Sequence, residues 1–153
     1  MHNNNMQDEN QDLCLDNQMC FPLYACARKI INTYAPILKN LDLTYTQYVT
    51  MLVMWEEHDI AIKTLCQRLY LDSGTLTPVI KKLCAQGLLE KYRNKTDERI
   101  VNVKLTEKGQ ALKEEAKKIP EMMRCAIFCD DKNFTKEDAL ALRKLLKKLL
   151  KVP

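Results

Sequence analysis

The stretch that decides the fold is Ser73-Gly-Thr-Leu-Thr-Pro-Val-Ile-Lys-Lys-Leu-Cys-Ala-Gln-Gly87. Leu76, Val79, Ile80 and Leu83 recur at helical spacing and form one apolar side. Ser73, Thr75, Thr77, Lys81 and Lys82 form the other. Gly87 is the expected C-terminal stop, because glycine enters the left-handed conformation without a Cβ penalty. Short hydroxyls and two cations on one helix face suit base edges and phosphates. An ordinary helical hairpin turns a similar lysine-bearing face to water, and the stretch alone does not separate the two readings.

The flanking segments narrow the choice. Upstream, a short helix is expected over Ile62–Leu69, with a turn at Tyr70–Gly74 before the quoted stretch. Thr44 reads as the cap of an earlier helix ending near His58. Before that, Leu23, Ala27, Ile30, Ile31, Tyr34 and Leu38 follow helical spacing from about Asp16 to Leu41. Downstream the period changes. Leu88–Arg93 and Ile100–Leu105 are strand-like, joined as a hairpin by the polar loop Asn94–Arg99. Thr106 caps a fifth helix expected to run to Pro120 and bend there. Thr135-Lys-Glu-Asp138 resembles a capping box that opens a last helix with Leu142, Leu145, Leu146, Leu149 and Leu150 on one stripe.

Helix, helix, short helix, turn, helix and hairpin is the order of a winged helix-turn-helix, a mainly α (α+β) fold. Residues 1–12 are expected to be a disordered polar tail. Residues 13–153 form one domain, with the winged unit at 44–105 between dimerisation helices at 13–43 and 106–153. In this fold the helix after the turn enters the major groove of double-stranded DNA. The hairpin, or wing, reaches a flanking groove. Its tip carries Lys95, Asp97 and Arg99, with Lys91 and Arg93 behind them. Arg99 suits a narrow, electronegative minor groove, and Asp97 could orient its guanidinium by a bidentate pair. The alternative for this tip is a polar turn with a surface ion pair.

Composition sets outer limits. A chain of 153 residues buries one good core. Three glycines and five prolines agree with long helices and few tight turns. The net charge of +4 permits nucleic-acid binding without indicating it. No apolar run is long enough to span a membrane. The polar start MHNNNMQDEN has no apolar core of a signal peptide, so a cytoplasmic location is expected. There, the seven cysteines are expected to stay mostly reduced. Cys14, Cys20 and Cys26 are about 120° apart on a helix and cannot converge on one metal. Cys125 and Cys129 lack a second ligand pair at zinc spacing. No metal, cofactor or catalytic constellation is expected, and the chain reads as a regulator, not an enzyme such as a thiol peroxidase. Cys66 and Cys84 read as buried inert thiols. Cys14 and Cys26 have no assigned role.

Tyr45-Thr-Gln-Tyr48, Trp55-Glu56, Leu71-Asp-Ser-Gly-Thr-Leu-Thr-Pro78, Gln86-Gly-Leu88, Asp97-Glu-Arg99 and Leu105-Thr106 with Gly109 resemble the MarR family of winged-helix regulators. Asn17-Gln-Met-Cys-Phe-Pro-Leu-Tyr24 joined to Leu71–Pro78 resembles its organic hydroperoxide resistance regulators. The resemblance covers roughly residues 13–150. It implies a homodimeric repressor on an inverted-repeat operator, whose first and last helices intertwine. The exposed leucine stripe of the last helix agrees with that.

The resemblance also assigns the thiols. Cys20 matches the peroxide-sensing cysteine, and Tyr34 and Tyr45 match tyrosines that hydrogen-bond its sulfur. Only a thiolate attacks a peroxide quickly, and a helix start favours one. Asp16 or Asn17 is the expected cap of that helix, and Pro22 fits its first turn, although the family carries an ordinary helix former there. Tyr34 lies fourteen residues from Cys20, about 21 Å along a helix, so it would have to reach the partner's cysteine. In the two-cysteine branch a resolving thiol sits near the fifth helix of the other subunit. Cys125 matches it, with Cys129 as runner-up. Phe21, Met51 and Met54 are expected to line a pocket for the organic hydroperoxide. Resolution of Cys20 by small thiols, or release of DNA by a phenolic ligand, are the alternatives.

Overall fold

The computed structural model of the chain describes residues 13–128 and 134–152. A 3-10 turn at Leu15–Asn17 precedes α1 (Cys20–Leu38), and a second, Lys39–Leu41, follows it. Then come α2 (Tyr45–Glu57), β1 (Asp59–Ala61), α3 (Ile62–Leu69) and α4 (Ser73–Ala85). The hairpin β2 (Leu89–Arg93) and β3 (Val101–Leu105) leads to α5 (Glu107–Ala116), α6 (Ile119–Phe128) and α7 (Lys136–Leu149). This is the winged helix-turn-helix with flanking helices.

Local chemistry explains most of these boundaries. Thr44 and Gln47 form a reciprocal capping box at α2, with the Thr44 N–H donating to Gln47 Oε1 at 2.7 Å. Thr135 and Asp138 do the same at α7. Thr106 Oγ1 accepts the Gly109 N–H at 3.0 Å to start α5. At the end of α4, Gly87 has φ +73°. Its N–H donates to the Cys84 carbonyl and the Leu88 N–H to that of Leu83, a Schellman stop.

Three expectations need correction. The first helix is not continuous from Asp16 to Leu41. Asp16 and Asn17 belong to the separate 3-10 turn, and α1 starts after Met19 with no side-chain cap. Asp42, at φ 51°, ends that region, and Leu43 N–H donates back to the Leu38 carbonyl. The fifth helix ends at Ala116, before Pro120 rather than at it. Pro120 instead occupies the second position of α6, where a missing N–H is free of cost. Finally, β1 has no counterpart in the sequence reading. Three residues are too few to display an alternation.

The sheet order is β1-β3-β2, antiparallel throughout. Ile60, Leu89, Val103 and Leu105 share its inner face and are buried. Asp59, Tyr92 and Asn102 share its outer face. The core beneath it is built from Leu38, Met51, Met54, Leu65, Leu76, Leu83 and Val103, all fully buried. Outside it, α1 contributes only Leu38 to the buried set and α7 contributes nothing. At the corner of α2, Arg68 reaches Glu56 at 2.6 Å and also pairs with Glu57. These pairs are partly exposed and add under about 1 kcal/mol each.

Gly109 packs where no side chain fits. A Cβ there would lie 2.2 Å from the Leu88 carbonyl oxygen and 2.8 Å from Leu105 Cδ1. The same residue's carbonyl accepts the Trp55 indole N–H at 2.9 Å. Gly109→Ala is expected to destabilise the chain by on the order of 3 kcal/mol, the upper end of overpacking costs. Urea denaturation of the variant against wild type measures this directly.

Candidate nucleic-acid interface and sensing thiol

The candidate reading surface is built on α4. Asp72 caps it: Oδ1 accepts the Thr75 N–H at 2.8 Å, and Oδ2 accepts the Thr75 hydroxyl at 2.7 Å. These bonds hold the Asp72 carboxyl below the usual carboxylate range, so the cap stays anionic near neutrality. Thr77 Oγ1 donates to the Ser73 carbonyl at 2.6 Å. Both threonine hydroxyls therefore donate within the first turn, Thr75 to the Asp72 carboxylate and Thr77 to the backbone. Ser73, Thr75, Thr77, Lys81 and Lys82 are all exposed, while Leu76, Ile80 and Leu83 are buried. The five polar side chains named from its sequence all lie off the buried face of the helix.

The wing tip is held by its own backbone and side chains. Asn94 Oδ1 accepts the Thr96 N–H at 2.8 Å, and the Asn94 N–H donates to the Ile100 carbonyl at 2.9 Å. Arg93 donates to the Glu98 carbonyl at 3.1 Å. Lys95, Asp97 and Arg99 are exposed at this tip. The expected Asp97–Arg99 guanidinium pair is not formed. Asp97 Oδ1 instead accepts the backbone N–H of Arg99 at 3.0 Å, an Asx-type turn that leaves the guanidinium free to extend. A two-residue spacing favours that local bond over a side-chain pair.

Cys20 is the first residue of α1 and is exposed. Met19 gives the helix start no side-chain cap, the Phe21 N–H donates to the Gln18 carbonyl at 3.3 Å, and the positive end of the helix dipole lies at Cys20. Pro22, third in the helix, removes an N–H that has no helical acceptor anyway. Tyr34 and Tyr45 do meet: their ring centroids are 4.9 Å apart, and Tyr48 lies 5.8 Å from Tyr34. Burial first, and Tyr45 second, push the Tyr34 hydroxyl up, so it remains a donor. Fourteen helical residues, about 21 Å, separate Cys20 from Tyr34 in the same chain.

The remaining cysteines sort by surroundings. Cys125 is exposed on α6, and its Sγ lies 3.8 Å from Glu121 Oε1. Cys129 lies outside the described residues, as do residues 1–12 and 153. Cys66 and Cys84 are half-buried against the core, less enclosed than expected. Burial pushes the Cys84 thiol up, which favours the inert form. Cys26 lines a groove of about 670 Å³ between α1, α6 and α7, with Ile30, Leu142 and Leu146. Among the described residues, Phe21, Met51 and Met54 do not line a common pocket. Both methionines are sealed in the core, whereas Phe21 faces a separate cavity of about 580 Å³ beside Tyr24 and Arg28. Helical spacing could not tell which apolar residues face inward across different elements.

A capped reading helix with a polar outer face and a cationic wing define a winged-helix DNA-binding regulator. The family model described as "Transcriptional regulator SarA/Rot" matches residues 32–116, more than half of the chain. The organic hydroperoxide resistance transcriptional regulator of Bacillus subtilis (strain 168) is 44% identical over 115 residues, covering 75% of this chain and 78% of that protein. Reduced AbfR bound to DNA superposes with a TM-score of 0.70 at 30% identity, covering 92% of this chain and 99% of that one. Disulfide-formed AbfR superposes with a TM-score of 0.64 at 32% identity, covering 97% and 99%. The chain belongs to the SarA/Rot transcriptional regulators, DNA-binding proteins of the MarR type akin to the organic hydroperoxide resistance regulators, and this is a family of regulators, not of enzymes.

Lys81 and Lys82 are exposed cations on the reading helix, suited to phosphates. Replacing both with Gln is expected to weaken binding to any duplex. The plot of log K against log salt is expected to flatten by about 0.9 for each phosphate contact removed. Fluorescence anisotropy across a salt series reads both effects.

Proposed function

We propose that this chain is one subunit of a homodimeric repressor that senses organic hydroperoxides through Cys20. One observation carries the reading. Cys20 opens α1 at an uncapped, exposed helix start, while the Tyr34–Tyr45 pair lies toward the far end of the same helix. A thiol and its hydroxyl partners this far apart in one chain meet only if two α1 helices cross antiparallel. The exposed apolar residues Ile30, Ile31, Leu142, Leu145 and Leu149 supply a face for that crossing. Residues 13–43 and 106–153 then form the dimer stem, and residues 44–105 the two reading heads. Two heads about one helical turn of DNA apart call for an inverted-repeat operator.

The chemistry runs in two balanced steps. The Cys20 thiolate attacks the distal oxygen of the hydroperoxide, giving the sulfenic acid and an alkoxide that is protonated to the alcohol. The Cys125 thiol of the partner subunit then condenses with the sulfenic acid. A disulfide forms and water leaves. Closing that bond brings the sulfurs to about 2 Å. Movement of α1 and α6 to reach that distance would turn the heads away from the spacing that fits DNA. In the reduced form Ser73, Thr75, Thr77, Lys81 and Lys82 read the major groove. Arg93, Lys95, Asp97 and Arg99 serve the wing.

Reduced and hydroperoxide-treated protein, compared for DNA binding at one salt concentration, tests this. Treated wild type is expected to lose the duplex and to run as a covalent dimer on a non-reducing gel. Cys20→Ser is expected to stay bound after treatment. A covalent dimer that persists in Cys125→Ser would transfer the resolving role to Cys129. Adducts of small thiols on Cys20 in place of the dimer would make this a one-cysteine sensor. Equal release of wild type and Cys20→Ser would refute the sensing role of Cys20.

A further inference from the structure

The outer face of the wing sheet carries a closed polar cluster. The Tyr92 hydroxyl donates to Asp59 Oδ2 at 2.6 Å. The Asn102 amide donates to Asp59 Oδ1 at 3.1 Å and to the Tyr92 oxygen at 3.3 Å. Both neighbours present acceptors to that amide nitrogen, which fixes the amide orientation. Asn102 Oδ1 is left buried without a partner. A native fold tolerates an orphan acceptor where the rest of the cluster has a use.

The cluster spans all three strands. Tyr92 on β2 stands opposite Asn102 on β3, and Asp59 lies on β1, beyond β3. The two outer strands are therefore joined over the middle one. Ladder hydrogen bonds alone leave a small sheet free to vary its twist. A side-chain pin from edge to edge restricts it.

The place of this pin gives it mechanical reach. β1 runs directly into α3 at Ile62, and α3 packs on α4. The outer part of the hairpin is tied by Arg93 to Glu98 and by Asn94 to Ile100 and Thr96. The wing is thus a stiff arm whose freedom lies at its base, where Tyr92, Asp59 and Asn102 sit. The bond to Asp59 pushes the Tyr92 hydroxyl up, so it remains a donor throughout the neutral range.

We propose that Tyr92 is a positioning residue for DNA recognition: its hydroxyl, locked to Asp59 and Asn102, sets the angle at which the wing presents Arg99 relative to α4. It touches no nucleotide itself. The inference rests on the reading of Arg99 as a DNA contact and is independent of the redox chemistry of Cys20.

A double-mutant cycle tests it. The probe is a duplex that wild-type protein selects from random DNA. Affinities are measured for wild type, Tyr92→Phe, Arg99→Ala and the double variant, all reduced, at fixed salt. Tyr92→Phe removes one hydroxyl and is expected to weaken binding about three- to tenfold, the scale of one hydrogen bond. Arg99→Ala is expected to weaken it at least as much. The double variant is expected to bind no more weakly than Arg99→Ala, since an arm without its arginine has nothing left to aim. Footprints of Tyr92→Phe are expected to lose protection only at the wing-flanking positions. Multiplicative losses in the double variant, or full affinity in Tyr92→Phe, would overturn the proposal. Full affinity in Arg99→Ala would overturn the wing contact itself, with DNA binding through α4 untouched. If Tyr92→Phe unfolds early on heating, Asp59→Asn takes its place in the cycle, with the same outcomes.

Discussion

The structure depends on the way α5 is seated against the reading head. The Trp55 indole donates to the Gly109 carbonyl at 2.9 Å, and Leu88 presses its carbonyl against the bare Cα of Gly109. Around this contact, Thr106 Oγ1 donates to the Gly87 carbonyl at 2.7 Å, and Lys108 Nζ to the Gln86 carbonyl at 2.7 Å. Gln86 in turn donates to the Asp42 carbonyl at 2.8 Å, just beyond α1. The end of the reading helix is therefore bonded to the start of α5 and to the end of the first helical segment. Of these bonds the Trp55–Gly109 one is buried, and the others lie exposed around it. Head and outer helices are bonded to one another at this joint.

That joint gives meaning to events far from DNA. Asp42, Gln86 and Lys108 bond the end of the first helical segment to the end of α4 and the start of α5. In the proposed dimer, a rotation of the stem would be passed to α4 through these bonds. Duplex DNA repeats its groove about every 34 Å, so a pair of rigid heads either matches that spacing or does not. The brace across Asp59, Tyr92 and Asn102 extends the same logic to the wing. The hinge of the hairpin is closed, and its tip inherits the orientation of α3.

What was legible in the sequence was local chemistry. Thr44, Thr106, Gly87 and the Thr135–Asp138 box act on residues within one helical turn, so their spacing alone reveals them, whereas Asp72 is legible only as part of a turn and not as the cap of α4. The polar face of α4 was equally plain, since the periodicity of Leu76, Ile80 and Leu83 defines its opposite. Contacts between distant segments were not legible. Met51 and Met54 share their apolar character with Phe21, and only the packing of α2 under the sheet separates them. Asp97 and Arg99 have complementary charges, yet a backbone N–H two residues away is a nearer donor than a flexible guanidinium. The strand β1 becomes a strand only because β3 lies beside it.

The outer helices put a further constraint on the assembly. A helix of nineteen residues, α1, has a single fully buried residue, and α7 has none although leucines recur along it. Leaving Leu145 at 60% exposure and Leu140 at 57% wastes apolar area worth roughly 25 cal/mol for each Å² covered. In the proposed dimer a second copy would cover that area, and the antiparallel crossing would carry Cys20 toward a partner's Tyr34 and Tyr45. The dimer contact and the sensing contact then share the same helices. In the proposed switch, a chemical change at the sulfur would strain the interface that holds the two heads in register, with no separate relay between sensor and DNA.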